Sequence, residues 1–163
     1  MEIERKFLAD PSGLTLSDYP SKEMSQGYIS TDPVIRIRQS NDSFRLTVKS
    51  DGLLAREEFE TDLTAEQYRQ LSEKVSGIFI QKTRYLNPCP GDASLTIELD
   101  IFHGDLEGLI YAEVEFPSVE AANAFIPPSW FLREVTEDGS YTNAALSRLT
   151  PEELSDFLTR AGK

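Results

Sequence analysis

Cysteine, histidine and tryptophan each occur once in this 163-residue chain, and methionine twice. The lone cysteine, Cys89 in the turn Asn87-Pro88-Cys89-Pro90-Gly91, excludes an internal disulfide framework and a cysteine-based zinc cage. In a proline-rich turn it reads as a loop thiol rather than a nucleophile. The lone histidine, His103, leaves no second candidate for a Ser-His-Asp arrangement, and its place in a predicted turn reads as structural or exposed. No apolar run approaches membrane-spanning length, and the start Met1-Glu2-Ile3-Glu4-Arg5-Lys6 has no apolar leader core, so a cytoplasmic location and no membrane partner are expected. Cations are scarce too: 16 Lys and Arg face 28 Asp and Glu, a net charge of -12. That field repels nucleic acid, which is therefore not an expected partner. It would also repel any small polyanion, so an anion site here must gather its cations tightly or borrow them from a metal.

Hydrophobic residues make up 39% and charged residues 27%, enough of both for an ordinary globular fold with a core of its own, and one domain over residues 1–163 is expected. The dominant pattern is alternation with period two. Segments 2–8, 23–29, 34–40, 43–49, 55–61, 79–86, 94–102 and 110–116 read as roughly eight strands. Short turns rich in Asp, Asn, Gly and Pro separate them, as in Thr31-Asp32-Pro33, Asn41-Asp42 and Ser50-Asp51-Gly52, so an antiparallel meander is the natural topology. Helices are expected from the capping box Thr64-Ala65-Glu66-Gln67 towards Gly77, and from Ser118 to before Pro127-Pro128. A further helical region follows Asp138-Gly139, breaks near Thr150, and restarts as a C-terminal helix over about 151–161. Leu154, Phe157 and Leu158 make that last helix amphipathic, and it is expected to cover the apolar outside of the sheet.

Sorting the strands by parity divides the charges from the apolar residues. One face holds Glu2, Glu4 and Lys6; Arg36 and Arg38; Arg45, Thr47 and Lys49; Arg56, Glu58 and Glu60; Lys82 and Arg84; Glu98 and Asp100; Glu113 and Glu115. The other holds Ile3 and Phe7, Ile35 and Ile37, Phe44, Leu46 and Val48, Ile97, Leu99 and Ile101, and Val114 and Phe116. Alternation alone favours a solvated charged face. Two details oppose that: the charged positions are doubled or tripled on successive same-face sites, and the signs segregate by strand. If the sheet closes, Glu2, Glu4, Glu113 and Glu115 meet. Four such carboxylates need a positive charge among them, for which Mg²⁺ or Mn²⁺ is the simplest answer, and the facing cations need a polyanion. A metal-bridged linear polyphosphate satisfies both.

The same residues carry a family likeness. Glu2-Ile3-Glu4-Arg5-Lys6 resembles the ExExK signature of the triphosphate tunnel metalloenzymes, the CYTH superfamily. Alone it is a weak motif. The rest of the chain follows in order: Gln26-Gly27-Tyr28-Ile29, Arg36-Ile37-Arg38, Arg45-Leu46-Thr47-Val48-Lys49, Arg56 with Glu58 and Glu60, Lys82-Thr83-Arg84-Tyr85, Glu98-Leu99-Asp100-Ile101-Phe102, Ala112-Glu113-Val114-Glu115-Phe116, and Tyr141-Thr142-Asn143-Ala144-Ala145-Leu146. The likeness runs from Met1 to about Leu149 and is similar to the small prokaryotic members.

The resemblance implies an α+β fold built on an eight-stranded antiparallel closed β-barrel with a charged lumen and helices outside. It implies that Glu2, Glu4 and Glu115, with Glu113 close by, hold a divalent metal, and that Lys6, Arg36, Arg38, Lys49, Arg56, Lys82 and Arg84, with Arg45 nearby, grip a triphosphate. A second metal near Glu60, with Glu58, Glu98 or Asp100, would serve the attacking water. Glu2, Glu4, Lys6, Glu60 and Lys82 are thus the expected catalytic set. The expected reaction is metal-dependent hydrolysis of inorganic tripolyphosphate, a small-molecule partner, by a chain that forms a homodimer as relatives often do. The alternatives are hydrolysis or cyclisation of an organic triphosphate such as thiamine triphosphate or ATP, with Trp130 and Tyr28 as candidate base contacts, and a non-catalytic polyphosphate-binding module. Tyr141 and Asn143 read as packing and a helix cap.

Overall fold

The structure, a computed structural model, describes residues 1–162. Ten strands form one antiparallel sheet: β1 (Glu2–Ala9), β2 (Ser21–Thr31), β3 (Val34–Ser40), β4 (Ser43–Lys49), β5 (Ala55–Arg56), β6 (Glu58–Leu63), β7 (Ser76–Cys89), β8 (Asp92–His103), β9 (Ile110–Glu115) and β10 (Phe131–Glu134). Four helices accompany them: α1 (Ala65–Ser72), α2 (Val119–Ala124), α3 (Asn143–Ser147) and α4 (Pro151–Ala161). Their starts follow the local chemistry. Thr64 and Gln67 close a capping box on α1, Thr150 and Glu153 close another on α4 with Pro151 inside its first turn, and the Ser118 hydroxyl caps α2.

The paired strands run β10-β1-β9-β8-β7-β2-β3-β4-β6, so the expected eight-stranded closed barrel needs correction. There are ten strands, and hydrogen bonds do not close the sheet. The expected strand 55–61 is two strands because it changes partner at Glu57. Before it, Arg56 lies opposite Glu2 and Ala55 opposite Ile3 of β1; after it, Glu58 lies opposite Lys49 of β4. The Glu57 carbonyl accepts from the Ser50 N–H at the switch. The tenth strand, β10, is four residues that pair with β1 at only two positions, too short to leave an alternation in the sequence.

The apolar face is a core under α2, where Phe7, Phe116, Phe125 and Phe131 pack with Ile97, Leu99 and Val114. Trp130 stands edge-on to Phe131 here, on the opposite side of the sheet from the charges. The charged face is charged along only part of its length. Towards one end the same parity carries Leu8, Tyr28, Ile80, Phe102 and Tyr111, and these make a second core with Tyr141, Leu146 and Phe157. Helix α4 therefore does not cover the apolar outside. Phe157, fully buried, packs with its ring tilted against Tyr141 at 5.0 Å in this second core, and α3 and α4 stop the inner face at that end.

The seating of α3 depends on one glycine. Gly77 has φ +77°, and a Cβ there would lie 2.1 Å from the Ser147 carbonyl oxygen. Gly77→Ala is accordingly expected to cost at least about 2 kcal/mol, read as a lower urea midpoint with an unchanged m-value. A midpoint equal to wild type would mean that α3 does not press on β7 there.

Candidate active site

The charged part of the inner face surrounds a cavity lined by Glu2, Glu4, Lys6, Tyr28, Val34, Arg36, Arg38, Lys49, Arg56, Arg84, Glu98, Glu113, Glu115, Thr142, Asn143 and Ala144. Eight strands and the start of α3 contribute to it. Free volume inside is about 70 Å³, because the side chains reach across to one another; past Arg38, Arg84 and Glu98 it opens into a mouth of about 530 Å³. Lys49 Nζ donates to Glu2 Oε1 at 2.7 Å and lies 3.5 Å from Glu58, while Arg56 Nε is 3.5 Å from Glu2. Arg84 lies against Glu98, Asp100 and Glu113. Lys6 Nζ donates to the Tyr141 carbonyl at 3.3 Å and sits 4.0 Å from Glu113.

Two cations stand apart from this. Among the described residues, Arg36 and Arg38 have no carboxylate within ion-pair distance. Arg36 is buried, with its Nε unsatisfied. Burial, followed by the charges of Arg36 and Arg84, pulls the Arg38 guanidinium down to about 9. Arginine holds its proton in proteins, so this crowding amounts to an unmet demand for an anion.

The acids show the converse. Glu4 lies opposite Glu115, and Glu98 opposite Glu113, on neighbouring strands. Like charges in such positions repel. Burial, then Glu2 and Glu98, raise the Glu115 carboxyl; burial raises that of Glu113, with Lys6 opposing and Glu4 adding. Glu58, where β6 begins, and Glu2 of β1 are shifted in opposite directions. Burial and hydrogen bonds shared with Glu60 and Glu2 push Glu58 up to about 8. Burial works against ionisation of Glu2 as well, but Lys49, the hydrogen bond with Glu58 and Arg56 together outweigh it and hold Glu2 down to about 2.

The chain matches the CYTH domain over residues 1–126. It belongs to the CYTH family. It is 42% identical to an inorganic triphosphatase of Nitrosomonas europaea over 158 residues, covering 92% of this chain and 99% of that protein. It is 35% identical to an inorganic triphosphatase of Acetivibrio thermocellus, covering 89% and 92%. A crystal structure of an inorganic triphosphatase superposes with TM-score 0.67 at 39% identity, covering 93% of this chain and 97% of that one.

Not every expected residue reaches the lumen of this CYTH domain. Lys82 and Asp100 are wholly buried and line none of it. Lys82 Nζ donates to Asp100 Oδ2 at 2.7 Å, and Arg84 donates to both oxygens at 2.7 and 2.8 Å. Asp100 is thereby held far below the usual carboxylate range, burial being outweighed by Arg84 and Lys82. In this arrangement Lys82 and Asp100 bear on the lumen through Arg84, which both of them support. Arg45, half exposed, pairs with Glu60 and Asp62 in the wider mouth, and Glu60 lines that mouth rather than the lumen. Glu58 lines neither space and meets the site through Glu2 and Lys49. The sequence reading missed Asn143 as a lumen residue: the Thr142 hydroxyl caps α3, and the Asn143 Oδ1, buried and unsatisfied, lies beside the cavity.

The donor set suits a hard divalent cation. Five carboxylates line one cavity, two cross-strand pairs repel, and the buried Glu113 Oε1 accepts no hydrogen bond. Among the described residues no three Asp, Glu, His or Cys side chains already stand as a metal cage. Three of the five are instead engaged by the site's own cations.

Proposed function

We propose that this CYTH chain is an inorganic triphosphatase that hydrolyses tripolyphosphate to pyrophosphate and orthophosphate with Mg²⁺ or Mn²⁺. The observation that carries the reading is the pair Arg36 and Arg38, guanidiniums without a carboxylate partner in the same cavity as the repelling Glu4 and Glu115. The relatives named inorganic triphosphatase support it. An inorganic rather than an organic triphosphate is favoured by the lining: among the described residues Tyr28 is the one aromatic that lines this lumen and this mouth, and Trp130 lies across the sheet.

Water adds across one terminal P–O–P bridge, and the bridging oxygen leaves with the pyrophosphate. Such a transfer asks the protein for position and charge more than covalent help. Arg36 and Arg38 take phosphate oxygens directly, and Lys6, Lys49, Arg56 and Arg84 take others. Glu4 and Glu115, with Glu2, Glu98 and Glu113, would hold the cation, which supplies charge neutralisation and a more acidic bound water. The ion pairs of the free site then have a purpose. Opening Lys49–Glu2 or Arg84–Glu98 would free Lys49 or Arg84 for a phosphate, and Glu2 or Glu98 to help hold the cation. The members of those pairs then keep a partner of opposite sign throughout, where breaking a buried ion pair would otherwise leave them bare.

The test is phosphate release from tripolyphosphate, ATP and thiamine triphosphate in parallel, with Mg²⁺, Mn²⁺ or chelator. Fast release from tripolyphosphate that disappears with chelator is expected. Preference for an organic triphosphate, or turnover in chelator, would overturn the reading.

A further inference from the structure

The cations of this lumen are steered in two different ways. Lys49, Arg56 and Arg84 rest on carboxylates. Arg38 and Arg36 rest on neutral groups. Arg38 Nε donates to Gln26 Oε1 at 2.7 Å, and Gln26 faces Arg38 across the β2–β3 ladder. Gln26 has no exposed surface and its Nε2 is unsatisfied, an arrangement that costs free energy unless the residue is needed where it is. On the other side, Arg36 Nη2 donates to Thr47 Oγ1 at 3.2 Å, with Thr47 opposite Arg36 in the β3–β4 ladder and 1% exposed. The Thr47 hydroxyl in turn donates to Glu60 Oε2 at 3.2 Å, so that carboxylate is kept one hydroxyl removed from the guanidinium.

A carboxylate at position 26 would fix Arg38 equally well and would also neutralise it. An amide fixes direction without neutralising charge. Because Gln26 takes the Nε–H, the Nη1–Nη2 edge of Arg38 is left for a second, bidentate partner. We propose that Gln26 and Thr47 are positioning residues of the triphosphate site, chosen neutral so that Arg38 and Arg36 stay directed and fully charged towards phosphate. The proposal rests on the triphosphatase reading above.

The decisive variant is Gln26→Glu, which keeps size and the Arg38 hydrogen bond and adds only a charge. It is expected to melt no lower than wild type, because it gains an ion pair. Its KM for tripolyphosphate should rise about tenfold to a hundredfold, with kcat changed less. In an Arg38→Ala background the same substitution should cost no more than about twofold, since the group it acts through is gone. A merely structural glutamine predicts instead that activity follows stability and that the two substitutions add. A stable Gln26→Glu protein with wild-type KM overturns the proposal. If Gln26→Glu does not fold, Gln26→Met, which removes the hydrogen bond without charge, decides: it should lower kcat/KM about tenfold, and an unchanged value overturns the proposal. Thr47→Val is expected to lower kcat/KM similarly through Arg36. Wild-type turnover is measured first. Its absence overturns the triphosphatase reading, whereas an active wild type with an indifferent position 26 overturns this inference alone.

Discussion

Arg38→Ala is expected to lower kcat/KM for tripolyphosphate about a thousandfold while the protein stays folded. The size follows from the position. Arg38 is a preoriented, charge-assisted donor with no internal anion to satisfy, so all of its electrostatic value is realised on the ligand. The stability should hold for the same reason: no carboxylate is orphaned when the guanidinium goes, and its crowding with Arg36 and Arg84 is relieved. Arg45→Ala is the control. Its guanidinium is half exposed on Asp62 and Glu60, and an exposed pair of this kind contributes about 1 kcal/mol or less. Steady-state kinetics with thermal melts on both variants separates the cases. A near wild-type Arg38→Ala, or an Arg45→Ala as damaged as Arg38→Ala, would remove the anion site from the lumen.

Those two arginines are on the same strand face in register, Arg38 opposite Arg45, and parity alone cannot rank them. Parity read the inner face correctly, including Glu4 against Glu115, because a pleated strand leaves no choice about which side a residue takes. It carries no information on depth along the strand. Lys82 and Asp100 share the parity of Arg84 and Glu98, but they lie beside Phe102 and Tyr111, where the inner face has become a core. The second core was hidden for that reason: Leu8, Phe102 and Tyr111 close off strands whose other same-face positions are charged. The split at Glu57 was hidden because a strand that changes partner keeps its alternation. Gln26 and Thr47 lie in segments that carry the family likeness yet show no signal of role, since a buried glutamine acquires one only when the register places it against Arg38. The capping boxes, by contrast, are local chemistry and could be read without tertiary context.

The buried pair beneath Arg84 supplies the largest expected stability effect. Asp100→Ala leaves Lys82 enclosed with no carboxylate in ion-pair contact and strips Arg84 of its bidentate support, a change expected to cost about 3–5 kcal/mol. The loss should depend on pH in a definite direction. Burial already pulls Lys82 down to about 7, against Asp100, and without Asp100 it falls further. A lysine neutral in the fold and protonated in the unfolded chain means that unfolding takes up a proton. Stability of the variant should therefore rise as pH increases from about 7 towards the ordinary lysine value near 10. Urea unfolding of Asp100→Ala across that range reads both the size and the sign. A small loss, flat with pH, would mean that Lys82 finds another anion or water and that Asp100 is free for the role in the site that its parity suggested.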